Sequence, residues 1–336
     1  MLPTDKQIQQ AFIDGITQSE IMLRGNCTRK WMFKYILRLR RQGSFSWAFE
    51  FGDVVHRMLE GYYDRLRKGE EIDLDQIIPC PDFKFPPDVI LGPTELEEAK
   101  YWKAIAEILV WQHNIYYQNL DRKVQILSVE RMMDYMYRGI RLRGKADLEY
   151  IPSTSKSDVV YIMDHKTTSD ITDRLFGGFQ FRFQFLFYAW LIQQLDGTRP
   201  DKFIVNAIKK PQERRSTRGP GESLDNFIKR IQRNIIHDPT NYFRRIEIPL
   251  DDGTLDRFER TVLNPVITQF QAIENAAINV DEVDSYTKAS MLITANTDNC
   301  YSWNKPCEFL DLCINNLEDF AGEYIQDEIK HPELPN

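Results

Sequence analysis

Apolar residues change their spacing along the 336-residue chain, and the change divides it. Up to about residue 123 they recur at helical intervals. Thr17-Gln-Ser-Glu20 has the form of a capping box, in which a hydroxyl and a carboxylate satisfy backbone donors at a helix start; it predicts a helix over about residues 18–40. Val55, Leu59, Tyr62 and Leu66 share one helical face within GDVVHRMLEGYYDRLRKG, and a third helix is predicted from Glu95 to about Asn119. Between these two, CPDFKFPPDVILGP holds too many prolines for a helix and reads as a surface connection. From Val124 the pattern becomes that of strands. VQILSVERMMDYMY, GIRLRGKADLEYI and DVVYIMDHKTT are rich in β-branched and aromatic residues and are separated by the turn signals Arg138-Gly139 and PSTSKSD. QFRFQFLFYAWLIQQL is apolar nearly all round, as a helix packed on a sheet should be, and FIVNAIKK supplies a further strand. KKPQERRSTRGPGES has no apolar period and reads as a basic loop. The order strand, strand, strand, helix, strand predicts a small α/β core wrapped by helices. It divides the chain into a mainly helical region over 1–123, a core over 124–250 and an acidic helical region over 251–336.

Composition narrows the class. Hydrophobic residues make up 42% and charged residues 28%, with 16 Gly and 16 Pro, an ordinary globular profile that excludes collagen-like and low-complexity chains. No apolar run approaches the roughly 18 residues needed to span a bilayer. The start, MLPTDKQIQQ, lacks the basic and apolar segments of a secretory signal, so a cytoplasmic address in a bacterial or phage-infected cell is expected, with no membrane partner. The net charge of −7 speaks against a nucleic-acid partner only if it is evenly spread. It is not: residues 251–336 hold 17 acidic and 5 basic side chains, and the rest hold 38 basic against 33 acidic. Two stretches are locally basic, one from Arg24 through Arg29, Lys30, Lys34, Arg38 and Arg40 to Arg41, the other from Lys209 and Lys210 through Arg214, Arg215 and Arg218 to Arg233. With Trp31, Phe33 and Tyr35 interleaved, the first suits phosphates and stacked bases; a solvated helix face is the plain alternative.

The candidate chemistry lies on the strands. Residues i and i+2 of a strand share a face, so Asp164 and Lys166 stand side by side, and an antiparallel neighbour can bring Asp147 next to them. Two carboxylates at one strand end suit Mg2+ or Mn2+, which lowers the pKa of bound water and stabilises charge on a phosphoryl oxygen; a lysine beside them neutralises the transition state. Asp-X-Lys alone is a common accident, usually an exposed ion pair. Here other elements stand in fixed order around it: His56 in Gly52-Asp-Val-Val-His56, Glu130 on the first strand, Gly144-Lys-Ala-Asp147 on the second, and Gln184 with Tyr188 one turn apart on the following helix.

This series, GDVVH, GKADLE, IMDHKTT and QFLFY, resembles the RecB-like branch of the PD-(D/E)XK nuclease superfamily, and the likeness runs from about residue 17 to the C-terminus. The resemblance implies a restriction-endonuclease-like fold, a central mixed sheet flanked by helices, with helical additions at both ends. It implies that His56, Asp147, Asp164 and the carbonyl of His165 are metal ligands, that Lys166 is the catalytic lysine, and that Gln184 and Tyr188 face DNA or orient the lysine. Asp rather than Glu at position 164 is the other choice the family permits. Glu130 has two readings, a water-mediated metal contact or a polar strand position, and Gln184, among so many aromatics, needs a polar partner such as the lysine or a DNA phosphate.

Three of the five cysteines, Cys300, Cys307 and Cys313, fall within fourteen residues. With Cys27 they make four soft ligands, enough for a [4Fe-4S] cluster or a tetrahedral zinc, and in a cytosolic chain a disulfide framework is not expected. Many RecB-like nucleases, including the AddB subunit and CRISPR-adaptation nucleases, hold an iron-sulfur cluster between one N-terminal and three C-terminal cysteines. Their common spacing is C-x2-C-x5-C, whereas this chain has C-x6-C-x5-C. The resemblance therefore favours iron-sulfur over zinc, as a structural tie between the first helix and the tail; Cys80 stands apart.

The expectation is a Mg2+- or Mn2+-dependent deoxyribonuclease, an exonuclease on single-stranded DNA or duplex ends in recombination, repair or phage DNA metabolism. No GxxxxGK[ST] sequence is present, so a helicase or recombinase partner would supply unwinding. A non-catalytic DNA-binding subunit of a helicase-nuclease complex, a CRISPR spacer-processing nuclease and a restriction-type endonuclease are the alternatives.

Overall fold

The computed structural model describes residues 2–73, 79–153, 159–173, 182–216, 221–278, 290–292, 294–302, 305–315 and 322–334. Arg218 and parts of the PSTSKSD and QFRFQ segments lie outside them. The N-terminal elements are α1 (Asp5–Ile13), β1 (Ile16–Thr17), α2 (Gln18–Asn26), α3 (Thr28–Trp31), β2 (Leu39–Arg41), α4 (Trp47–Arg67) and α5 (Pro93–Asp121). There follow β3 (Gln125–Tyr137), β4 (Ile140–Ile151), β5 (Tyr161–Thr168), α6 (Phe183–Asp196), β6 (Lys202–Lys209), α7 (Leu224–His237) and β7 (Phe243–Pro249). The C-terminal elements are α8 (Asp252–Phe258), α9 (Asn264–Ile278), β8 (Tyr301–Ser302), β9 (Lys305–Pro306), α10 (Leu310–Ile314) and β10 (Tyr324–Gln326).

The expected strands form one mixed sheet. β3 pairs antiparallel with β4, β4 antiparallel with β5, β5 parallel with β6, and β6 antiparallel with β7. Strands β1 and β7 and helix α7 are additions that the apolar pattern did not reveal; β1 is only two residues long. Both faces of the sheet are covered, so β6 is buried along nearly its whole length. Its Phe203, Val205 and Ala207 join Ile162 in a core built with α6, α8 and α9, while Ile204 and Ile208 join Leu148 and Met163 in a second core under α4, α5 and α7. Asn206 is the polar exception, fully buried in the middle of that strand.

The single helix expected over 18–40 is broken. Cys27 is extended (φ −163°, ψ 111°) between α2 and α3, and Arg38 adopts a left-handed backbone (φ 54°) before β2. Apolar spacing conceals the break because both halves bury a face, through Ile21 before it and Trp31, Met32 and Phe33 after it. The capping box forms only in part. Thr17 Oγ1 accepts from the Glu20 amide at 3.4 Å, but the Glu20 carboxylate turns inward to accept from Trp31 Nε1 at 2.9 Å and to pair with Lys330 Nζ at 2.9 Å.

The split charge of the chain has a structural cause. β10 lies antiparallel to β2, and the acidic tail neutralises the basic N-terminal stretch: Lys30 meets Glu308 at 3.0 Å, Arg40 meets Asp327 at 2.7 Å, and Arg41 meets Glu323 at 2.7 Å. Trp31, Phe33 and Tyr35, for which base stacking and a solvated helix face were the two readings, are core residues instead. In the second basic stretch Arg215 pairs with Glu97 at 2.6 Å and Arg230 with Glu222 at 2.9 Å, so those two cations are engaged within the protein.

Candidate active site

β4 and β5 are paired only over Leu148–Tyr150 against Tyr161–Met163, whereas β5 stays paired with β6 as far as Thr168. The strands therefore part where Asp147 and Asp164 stand opposite each other. The His165 amide, released from the ladder, donates to Asp147 Oδ2 at 2.7 Å and fixes that carboxylate. Beyond the fork β1 takes over the free edge of β4, and α2 begins beside it, so a cavity of about 140 Å³ opens between them. Its walls include His56, Asp147, Asp164, Lys166, Gln184 and Tyr188, residues from α4, β4, β5 and α6.

Two glycines set these approaches. A Cβ on Gly52 would lie 3.3 Å from Thr167 Oγ1, so the bare position lets α4 sit close to β5 and brings His56, one turn later, over the fork. A Cβ on Gly144 would meet Tyr188 Cε1 at 3.0 Å and Met133 Cε at 3.2 Å, so α6 reaches β4 only at a glycine. His56 Nδ1 stands 3.4 Å from Asp147 Oδ2. Glu130 faces Asp147 from β3 in a left-handed backbone (φ 52°), a conformation that costs about 1–3 kcal/mol for a non-glycine residue and that concentrates at functional sites. Ligand atoms of His56, Glu130 and Asp147 all lie within 4.8 Å of one another, and Glu130 also pairs with Lys145.

Lys166 Nζ is 2.9 Å from Asp164 Oδ2 and 3.2 Å from Oδ1, as the shared strand face predicts. Gln184 finds its polar partner in Asp164, not the lysine: its Nε2 donates to Oδ1 at 3.0 Å. Tyr188 is buried, with its ring against Gly144.

The cavity holds its charges in opposition. Burial raises the Asp147 carboxyl, but the His56 ring, His165 and Lys166 outweigh it and hold it well below the usual carboxylate range. Asp164 goes the other way: burial first, and then the Asp147 charge, push it up to about 6 against the pull of Lys166. Burial and Asp147 likewise raise Glu130. Burial disfavours the charged His56 ring, yet Asp147 prevails and raises its pKa. An imidazole and hard carboxylate oxygens crowded so that one acid resists ionisation form a donor set that fits a divalent cation of the Mg2+ or Mn2+ kind.

Behind the cavity lies a buried network that sequence spacing did not reveal. The His165 ring stacks on Tyr63 at 5.4 Å, and its Nδ1 meets the Asn206 amide at 2.8 Å. Asn206 Oδ1 faces His113 Nε2 at 3.0 Å and accepts from Arg245 Nε at 3.3 Å; Arg245 in turn is clamped by Asp121 at 2.6 Å and donates to the Tyr63 hydroxyl at 2.8 Å. The sequence signal was the lone Asn within FIVNAIKK, since a polar side chain in a buried strand must be satisfied.

A second cavity, of about 180 Å³, is lined by Cys27, Cys300, Cys307 and Cys313. The break after α2 turns Cys27 toward it, and the Cys307 amide donates to the Cys300 carbonyl at 2.7 Å across the short β8–β9 hairpin. All four are free thiols. Cys80 is buried elsewhere, against α4 and α5. Among the described residues no helix is long and apolar enough to cross a membrane.

Comparison with solved structures finds a candidate exonuclease from Eubacterium rectale, 15% identical, with 91% of this chain and 96% of that one covered and a TM-score of 0.45. The protein SSO0001 is also similar, 14% identical over 57% of this chain and 81% of its own, with a TM-score of 0.22. No curated protein sequence matches the chain. The family model of the PD-(D/E)XK nuclease superfamily matches residues 16–313, a span that holds the forked strands, the Asp-His-Lys run and all four clustered cysteines. With its central mixed sheet flanked by helices, the chain belongs to the PD-(D/E)XK nuclease superfamily.

Proposed function

We propose that the protein is a Mg2+- or Mn2+-dependent deoxyribonuclease, acting as an exonuclease on single-stranded DNA or duplex ends. The observation that carries this reading is the meeting of His56, Asp147, Asp164 and Lys166 around one cavity. A divalent cation there supplies Lewis acidity, polarising the scissile phosphoryl group and acidifying water. His56, Asp147, Asp164 and the His165 carbonyl are the proposed ligands, with Glu130 close enough to join them. The chain's own residues prepare the site. The His165 amide holds Asp147, Gln184 orients Asp164, and Tyr188 packs on Gly144 and fixes α6 close against β4. Lys166, half-exposed at the cavity, places an ammonium group where negative charge develops on the phosphate.

The four-cysteine cavity is the proposed seat of a [4Fe-4S] cluster. Four cysteines around one cavity are the donor set that such a cluster needs. The cluster would tie the start of the chain to its tail, and a helicase or recombinase would be the partner that delivers single strands.

The test is incubation of the purified protein with end-labelled single-stranded and duplex DNA in Mg2+, Mn2+ or EDTA. Stepwise shortening in metal only is expected. Asp164→Ala and Lys166→Ala should abolish it while DNA binding persists. Intact substrate in every lane, or native rates in either variant, would overturn the reading.

A further inference from the structure

Most of the basic N-terminal stretch is engaged within the protein, and the cations left over face one place. A cleft of about 650 Å³ is lined in part by Lys34, Arg38, Phe45 and Phe49, and Ser19 and Glu333 line both it and the catalytic cavity. The two spaces therefore adjoin, with Ser19 and Glu333 as their common wall. Phe49 is 72% exposed in the first turn of α4. Phe45 stands edge-on to Trp47 at 5.2 Å and to Phe85 at 5.4 Å, a rigid aromatic support. Phe49 and His56 are seven residues apart, two helical turns, and so share one stripe of α4 about 10 Å from end to end. That spacing corresponds to about three stacked nucleotides at 3.4 Å each.

Charge favours the same occupant. Of the carboxylates lining the cleft, Glu308 pairs with Lys30 at 3.0 Å, Asp327 with Arg40 at 2.7 Å, and Glu333 with His331 at 3.5 Å. Burial first, and then Asp53, raise the pKa of Glu50. Lys34 and Arg38 pair with no carboxylate among the described residues; Arg38 donates to the Glu328 carbonyl.

We propose that this cleft guides a single DNA strand into the catalytic cavity, with unpaired bases stacked on Phe49 and Phe45 and phosphates held by Lys34 and Arg38. The proposal rests on the nuclease reading above and extends it to a strand path. Stacking on an exposed ring needs a base free of its partner, so the cleft selects single strands without selecting sequence.

The test uses the full chain and two probes. Binding of fluorescein-labelled oligothymidylate in EDTA, followed by anisotropy over a range of salt, reads the cleft. Hydrolysis of thymidine 5′-(p-nitrophenyl phosphate) in Mn2+ reads the metal site alone. Phe49→Ala is expected to weaken oligonucleotide binding roughly tenfold, and Phe49→Trp to restore it. The double variant Lys34→Gln, Arg38→Gln should flatten the slope of log affinity against log salt by about 1.4, about 0.7 for each lost phosphate contact. Hydrolysis of the small substrate should stay unchanged in all three. Wild-type affinity and salt slope in Phe49→Ala and in the double variant, with hydrolysis intact, would overturn the cleft alone. No hydrolysis by any form, the wild type included, would overturn the nuclease reading and the entry path with it.

Discussion

Replacing Asn206 by Leu keeps the branching and heavy-atom count of a fully buried side chain and deletes its amide. Three groups lose their partner: His165 Nδ1 at 2.8 Å, His113 Nε2 at 3.0 Å and Arg245 Nε at 3.3 Å. A buried polar group left unsatisfied costs about 1–3 kcal/mol. Arg245 belongs at the low end, because Asp121 and Tyr63 still hold it. His113 keeps a contact with Asn114 at 3.2 Å through its other nitrogen, so the full cost falls mainly on His165. The expected total is about 3–5 kcal/mol, which at an unfolding entropy of about 0.7 kcal/mol/K for a chain of this length is a fall in thermal midpoint of roughly 4–7 °C. His165 is also the residue whose amide fixes Asp147, so a displaced ring should weaken divalent-ion binding. The assay pairs thermal unfolding with Mn2+ titration by electron paramagnetic resonance, both without DNA. Adding His113→Leu should recover part of the loss, since removing both partners leaves fewer orphans than removing one. A midpoint within 2 °C (about 1.4 kcal/mol or less) of wild type, or unchanged Mn2+ affinity despite lost stability, would refute the idea that this network supports the metal site.

The other predictions concern separate parts of the molecule. Gly144→Ala places a methyl 3.0 Å from Tyr188 and 3.2 Å from Met133, and should destabilise by about 1–3 kcal/mol and slow cleavage; an equal or higher midpoint in calorimetry would show that α6 does not need the bare position. Cys307→Ser should remove the brown charge-transfer absorbance of protein purified without oxygen and lower its midpoint, and an identical spectrum would count against a cluster. Burial raises the Glu20 carboxyl, but Lys330 and His331 outweigh it and leave its folded pKa below the unfolded value. The stability it contributes is therefore present above about pH 4.3 and lost as pH falls through the folded value. Glu20→Gln should lose about 3–5 kcal/mol at neutral pH by stranding Lys330 and should show a shallower acid limb; parallel midpoint curves from about pH 3 to 7 would refute this.

Much of the site was legible because its chemistry is local in sequence. Alternation along a strand puts Asp164 and Lys166 together, and a helical turn relates Gly52 to His56 and Gln184 to Tyr188. The central strands were legible because strands buried on both faces read as short runs rich in β-branched and aromatic residues, bounded by turn signals. The helix over 18–40 was misjudged because spacing counts buried faces and is blind to one extended residue at Cys27. The aromatic and basic run there was misjudged because spacing does not say what covers a face.

The sequence by itself determined the residue types of the cavity between α4, β4, β5 and α6, the order of strands that carries them and the four cysteines. Only the tertiary structure decided where β4 and β5 part, that Gln184 binds Asp164, that Asn206 and Arg245 stand behind His165, and that the acidic tail pairs with Lys30, Arg40 and Arg41. The reason is range: backbone geometry fixes neighbours within a few residues, whereas partners separated by about 20 to 300 positions meet only when burial forces each polar group to find one.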